Sequence, residues 1–337
     1  MSKVAVIGAG FAGLALSYHL LLRGLQVTVF DAQGIGAGAS GVSAGLLHPY
    51  VGRGDLSWRG EQAMEEADHL LGVSARALGR SVHKRNVLRL ALNNRQAARL
   101  KQGVGAACGA LWWAEGECSA RLQGAFLPYP GLFIRSGHTV YAKPYLRGLW
   151  QACQHLGAFF ERREVDLPIL SHFDQVAIAA GSGIKKFGIC RLRDLKQNKG
   201  QLLVCKKPPY FGLKLSVIGK GYVAMSEDKN CCYIGSTYER DYLDESPCIE
   251  EAKRAIFAQV KQFLPLCKAF KVRRCMAGVR VHRQGTSVPL CGKLQHRLWV
   301  VTAMGSRGLL YHGLMGKFLA MAMMRDDATL IPKEVRV

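Results

Sequence analysis

The chain has 337 residues, 49% of them apolar, which is enough to bury a full core and excludes a disordered or low-complexity class. Its formal net charge of +22 is uneven, because residues 69–114 and 252–325 carry no Asp or Glu at all. Such a field attracts polyanions, nucleic acid first, with anionic lipid or a merely basic proteome as the alternatives, and no uninterrupted apolar run approaches the roughly 18 residues of a membrane span.

From the N-terminus, Lys3 followed by VAVIGAGFAGLALSYHLLL has the basic start and apolar run of a signal peptide. A Gly-rich turn splits that run, however, and no small-x-small cleavage site follows it, so a cytoplasmic protein is expected. The eleven scattered cysteines form no CxxC pair, which fits neither a secreted disulfide framework nor a zinc site, and no metal is expected.

VAVIG (4–8) reads as a strand, residues 9–24 as a helix turning Leu14, Leu16, Leu20 and Leu21 toward a sheet, and LQVTVFD (25–31) as a second strand. Strand, helix and strand in about thirty residues make a parallel crossover unit. Gly8, Gly10 and Gly13 form GxGxxG at its turn, and Asp31 closes it. The first glycine permits a tight turn, the second a close backbone approach to a pyrophosphate, and the third close packing of helix on strand. The helix N-terminus faces phosphate charge and the acid accepts from ribose hydroxyls. Asp31 disfavours a 2′-phosphate, which leaves FAD or NAD.

GAGASGVSAGLLHP (36–49) bears on that choice. An NAD enzyme continues into another short crossover unit, whereas a run of small residues can wrap a cofactor and donate backbone N–H groups to it. Gly36, Gly38 and Gly41 permit positive φ and Ser40 offers a hydroxyl; a plain loop is the competing reading.

Residues 57–101 read as largely helical, 145–161 as a helix, and 174–181 as an apolar strand closing on Gly181. Between 200 and 240, short strands separated by Pro and Gly predict an antiparallel sheet, followed by a helix over 250–264. The end of the chain returns to a strand (297–304), a Gly turn holding Arg307, and an apolar helix (313–324).

The N-terminal run through GAGASGVSAGLLHP, with DQVAIAAG (174–181), GQLLV (200–204), IGSTYE (234–239), AGVRVHRQGTSVPLCG (277–292) and VTAMGSRGLLYHGL (301–314), resembles the D-amino acid oxidase-type FAD oxidoreductases, which include glycine and sarcosine oxidases. Within that family, GASG followed by G-L-L-x-P, and GSRGL near the C-terminus, look most like the FAD-dependent half of the bacterial bifunctional enzyme that makes 5-methylaminomethyl-uridine in tRNA. The methyltransferase half that precedes it in that enzyme has no counterpart in this sequence, so any methylation is expected elsewhere.

The resemblance implies an α/β (α+β overall) fold in which a Rossmann-like FAD-binding domain interleaves with a mixed antiparallel-sheet substrate domain. The expected segments are FAD-binding 1–56, substrate or cap 57–140, FAD-binding 141–190, substrate 191–285 and FAD-binding 286–337. It implies FAD held by Gly8, Gly10, Phe11, Ala12, Gly13, Asp31, Ala32, Gly38, Ala39, Ser40, Gly41, Ala44, Gly45, Leu46, Val165, Ala180, Gly181, Gly305, Ser306, Arg307, Gly308 and Leu309.

It also implies oxidation of a carbon–nitrogen bond in an amino-acid-like amine, either a carboxymethylamino arm presented on tRNA or a free glycine, sarcosine or D-amino acid. Peripheral membrane attachment is an alternative setting for the small-molecule reading. Arg280 matches the family's carboxylate clamp, with Arg283 as a rival because this chain is one residue longer before Pro289; Thr286 or Ser287 also stands where the family has an Asp shortly before that proline. His48 and Tyr238 are candidates for the pocket wall, and Arg307 for neutralising flavin or substrate charge.

Overall fold

The computed structural model describes residues 1–50, 55–102, 104, 109–122 and 126–337. The first unit forms as its pattern predicts. β1 (Lys3–Ile7) is buried along Val4–Ile7, α1 (Phe11–Leu21) is buried along nearly its whole length, and β2 (Gln26–Phe30) pairs parallel with β1 from Lys3↔Gln26 to Ile7↔Phe30. A two-residue β3 (Leu46–Leu47) follows.

The stretch expected to be helical through 57–101 is instead helix, strand and helix: α2 (Gly60–Leu78), β4 (His83–Leu90) and α3 (Asn94–Gln102). The run HKRNVLRL has no strand-like composition, but pairing decides its state. β4 lies between two neighbours, antiparallel to residues 131–140 and parallel to residues 216–218, and buries Val87, Leu88 and Leu90. Next come β5 (Ala110–Trp113), α4 (Glu115–Leu122), β6 (Gly131–Val140) and α5 (Ala142–His155). The helix expected over 145–161 stops at His155, and Phe159–Glu161 is a strand, β7, followed by β8 (Gln175–Ile178).

The antiparallel region holds β9 (Leu195–Lys206), β10 (Ser216–Gly219), β11 (Gly221–Met225), β12 (Cys231–Gly235), α6 (Ile249–Val260) and β13 (Lys271–Arg283). β14 (Leu290–Gln295), β15 (Leu298–Thr302) and α7 (Gly308–Arg325) complete the chain.

Two sheets result. One has the order β14-β15-β8-β1-β2-β7, parallel except for the β14 edge, and the other runs β13-β9-β12-β11-β10-β4-β6-β3 with β5 beside β6. α1, α2, α5 and α7 form a layer on the parallel sheet whose core includes the fully buried Trp299, Tyr145 and Tyr311. α1 and α7 approach closely at Gly316, where a Cβ would lie 2.9 Å from the Leu16 nitrogen. On the second sheet, α4 and α6 cover one face around Leu88, Leu203, Ile256 and Phe263. The other face turns Leu202, Ala224 and Tyr222 toward the 36–49 loop. Chain order reverses around β1, whose two neighbours are β2 and β8, and α/β folds bind ligands outside the strand ends at such a switch point. Among the described residues no helix is long and apolar enough to cross a membrane.

Candidate active site

A cavity of about 720 Å³ opens at that switch point and continues between the two sheets. At one end the first turn of the fold shapes it. Gly8 has φ +111°, and a Cβ there would overlap the Ala179 carbonyl oxygen, while a Cβ on Gly13 would overlap the Gly8 carbonyl oxygen. Gly8 therefore makes the turn and Gly13 seats helix on strand, which keeps Gly13 off the cavity wall while Gly8, Gly10, Phe11 and Ala12 lie on it.

Asp31 ends β2 at the wall. Its Oδ2 accepts from the Ala9 nitrogen at 2.8 Å, and its Oδ1 from the Gln33 and Gly34 nitrogens at 2.9 and 2.8 Å. Three of about four lone-pair positions are taken, and one remains on Oδ2 for a ribose hydroxyl.

The 36–49 loop closes over the helix N-terminus. The Ser40 hydroxyl accepts from the Phe11 nitrogen at 3.0 Å, and a Cβ on Gly10 would stand 2.8 Å from that hydroxyl. Gly38, Ala39, Ser40, Ala44, Gly45 and Leu46 all line the cavity. Gly41 does not, because it packs on Gly36, whose carbonyl oxygen a Cβ there would overlap. Gly278 of β13 lets this loop meet the second sheet, a Cβ there lying 3.0 Å from the Ala39 Cα.

Val165, Ala180, Gly181, Gly305, Ser306, Gly308 and Leu309 are wall residues as well. The first turn of α7 is held from below, where the buried His312 Nε2 lies 2.5 Å from the Tyr145 hydroxyl. Burial pushes the His312 imidazole down to about 4, so it is neutral there and shares a hydrogen bond with the tyrosine hydroxyl.

These residues fit FAD on grounds independent of the motif. Gly38 and Gly181 present open space where a Cβ would meet no atom of the described residues within 4 Å. The Thr302 hydroxyl on the wall is buried and has no partner among the described residues. Asp31, Ser40 and the α1 N-terminus would hold the ribose and pyrophosphate. Replacing Gly38 with Phe is expected to fill cofactor space without touching the packing. Flavin-to-protein absorbance should fall several-fold, with the melting temperature of the deflavinated protein unchanged; a fully yellow variant would make residues 36–49 an ordinary loop.

At the other end the second sheet supplies charged and polar side chains to the wall. Arg280 reaches the wall from β13, and its guanidinium lies across Gly200 of β9, occupying the place a Cβ would take. Arg283, the rival, donates from Nη1 to the Glu334 carbonyl at 3.1 Å and is not on the wall. Tyr222 is beside Arg280. Desolvation pushes its phenol up to about 12 against the opposing effects of Arg280 and a hydrogen bond with Ser236, so it stays a protonated donor. Gly235 makes room for that ring, since a Cβ there would overlap the Tyr222 hydroxyl.

Two other candidates are elsewhere. Tyr238 is 56% exposed, with its hydroxyl accepting from Asn198 Nδ2 at 2.7 Å, and it is not a wall residue. Arg307 donates to the Ser57 and Ser287 hydroxyls at 3.3 and 3.1 Å, behind the wall rather than in it.

His48 is half-buried on the wall, and its Nδ1 accepts from the Tyr50 nitrogen at 3.3 Å. Desolvation first, then the positive Arg89 and Arg307, push its pKa down to about 3. The unfolded chain therefore binds a proton at His48 below about 6.5 that the folded chain refuses until about 3. Stability contributed here is present above pH 6.5 and is lost as pH falls toward 3. His48→Gln is expected to flatten the acid limb of urea-unfolding stability by up to about 1.4 kcal/mol per pH unit. Unchanged slopes between pH 4 and 6.5 would contradict this.

Sequence reading missed Tyr222, Ser236, Gly200, Gly235, Thr302 and Arg89, the last lying on β4 beside Ile218 of the wall. For Gly200 a signal existed, since it interrupts a strand, and glycine within a strand marks a close approach.

A parallel sheet with a Gly-rich turn at its switch point shares one cavity with an antiparallel sheet that presents an arginine, an arrangement suited to a flavin enzyme. The family described as FAD dependent oxidoreductase (DAO) matches residues 3–322; the chain belongs to it, and its cofactor is FAD. The chain is similar to the tRNA 5-methylaminomethyl-2-thiouridine biosynthesis bifunctional proteins MnmC of Paracidovorax citrulli (29% identical over 395 residues, 100% of this chain and 59% of the relative) and of Polaromonas naphthalenivorans (29% over 370 residues, 95% and 56%). It thus spans a little over half the length of these curated relatives. The same fold occurs in glycine oxidase from Geobacillus kaustophilus (TM-score 0.82, 19% identity, 97% of this chain and 96% of that one). It occurs too in iminodiacetate oxidase from Chelativorans sp. BNC1 (TM-score 0.81, 18% identity, 99% and 98%).

Proposed function

We propose that the chain oxidises the carbon–nitrogen bond of an N-substituted glycine, the carboxymethylaminomethyl arm of a tRNA wobble uridine. The observation that carries this reading is Arg280, a planar cation fixed over Gly200 beside the protonated Tyr222, at the end of the FAD cavity away from Asp31. A guanidinium binds both oxygens of a carboxylate, and a tyrosine O–H adds a third donor. Bound FAD supplies the two-electron acceptor that takes hydride from the carbon next to nitrogen. The protein's own part is to fix the carboxylate, exclude water with Leu46, Leu202 and Ile218, and orient the C–H bond. The imine product then takes up water to give glyoxylate and the free amine. The names of the relatives and the +22 charge support a tRNA-borne substrate.

Anaerobic mixing of the yellow protein with carboxymethylaminomethyl-bearing tRNA, glycine, sarcosine and D-alanine in parallel tests the reading. Bleaching by the tRNA with glyoxylate release is expected, with a rate that falls as salt rises. Bleaching by a small amine alone, insensitive to salt, would replace it with a free amino-acid oxidase. A flavin that no amine bleaches would sink both.

A further inference from the structure

The +22 charge is not evenly spread along the chain, and one helix concentrates cations on its outer side. α3 carries Arg95, Arg99 and Lys101, all exposed, and no acid occurs on it or anywhere in residues 69–114. Among the described residues none of the three forms an ion pair, although Arg95 and Arg99 stand one turn apart, where like charges repel. Lys101 Nζ lies 5.2 Å from the centre of the Trp112 ring.

The position of α3 is set by its apolar side. Leu100 and Ala97 pack with Leu132, Ile134 and Tyr50, and the Tyr50 nitrogen is bonded to His48 of the cavity wall. The apolar side of α3 is thus anchored, through Tyr50, to the segment that carries His48 of the cavity wall, and its cationic side is turned to solvent. We propose that this face of α3 is where the phosphate backbone of a structured RNA docks while the modified base enters the cavity. The inference rests on the RNA reading of the substrate. Anionic lipid is the other polyanion, but a helix that settles into a bilayer surface needs an outward apolar stripe, and here the only buried side chain, Leu100, points inward. Arginine planes and an aromatic ring backed by a cation suit phosphates and unstacked bases instead.

The test is the triple variant Arg95→Gln, Arg99→Gln, Lys101→Gln in the flavin-loaded protein. Binding of tRNA and of an anticodon stem-loop would be measured by anisotropy across ~50–300 mM salt. Losing three phosphate contacts should weaken binding ~10-fold or more near 0.1 M salt and flatten the slope of log K against log salt by about two to three. The KM for modified tRNA should rise while kcat, flavin content and melting temperature stay put. Wild-type affinity and slope in the variant would overturn the proposal. So would transfer of the loss to a variant of Lys206, Lys271 and Arg273, the basic cluster at the far end of β9 and β13, where Lys206 and Lys271 face each other across the strands. Wild-type protein that sediments with phosphatidylglycerol vesicles and ignores RNA would overturn it in favour of a membrane. If modified tRNA fails to bleach the wild-type flavin, the substrate reading falls; if it bleaches the flavin and the variant binds as well as wild type, only the docking face falls.

Discussion

Arg280→Ala is expected to lower kcat/KM for the carboxylate-bearing amine that reduces the wild-type flavin by ~30-fold to ~5,000-fold, leaving the protein yellow. The range corresponds to the ~2–5 kcal/mol lost when one partner of a buried, hydrogen-bonded charge pair is removed. Arg280 is the arginine on the cavity wall that meets a protonated phenol, so its loss leaves a substrate carboxylate facing Tyr222 alone. Arg280→Lys should recover part of the loss, because a lysine keeps the charge but not the fork that grips two oxygens. Arg283→Ala is the matched control: its guanidinium is bound to the Glu334 carbonyl, and substrate turnover should not change. A wild-type rate in Arg280→Ala, or a fall confined to Arg283→Ala, would move the clamp elsewhere. Flavin content is measured alongside, since a colourless Arg280 variant would show a cofactor defect and not a substrate one.

The two ends of the cavity differ in how far they could be read from the sequence. The cofactor end is local. Gly8, Gly10, Gly13 and Asp31 lie within one crossover unit, and the spacing of their backbone groups follows from strand and helix geometry alone. Ser40 was legible as a polar group in a small-residue run, although its partner, the Phe11 nitrogen, was not. The substrate end is assembled by register between distant strands. Arg280 stands opposite Asn198, and Gly278 opposite Gly200, so the guanidinium needs a glycine two residues along the facing strand. No local pattern announces that requirement. Tyr222 and Gly235 are likewise paired only because β11 and β12 are neighbours. β4 was missed for the same reason, since its arginines mask a strand that its two neighbours impose. Tyr238, a wall candidate in the sequence, is not at the cavity, because the chain leaves β12 after Gly235 and its side chain turns out to solvent above Asn198.

Gly13→Val is expected to cost ~3 kcal/mol or more in stability and to abolish flavin retention. A Cβ at Gly13 would overlap the Gly8 carbonyl oxygen and stand 3.5 Å from the Ala179 Cβ, so helix α1 must leave the sheet to admit even one methyl group. Neither obstacle is a flexible side-chain end. The carbonyl belongs to a turn already at φ +111°, and that turn is pressed in its own right against the Ala179 carbonyl. α1 in addition packs on α7 at Gly316, so its displacement strains a second close approach. Cofactor loss by itself lowers a melting temperature by mass action, so the deflavinated forms of variant and wild type must be compared. Gly38→Phe supplies the contrast: it should lose flavin with no change in the deflavinated melting temperature, whereas Gly13→Val should lose flavin and also melt lower without it. If Gly13→Val stayed yellow and melted with the wild type, the third glycine would not be what holds helix to strand. Should its deflavinated form melt normally while flavin is lost, Gly13 would belong to the cofactor's own contacts.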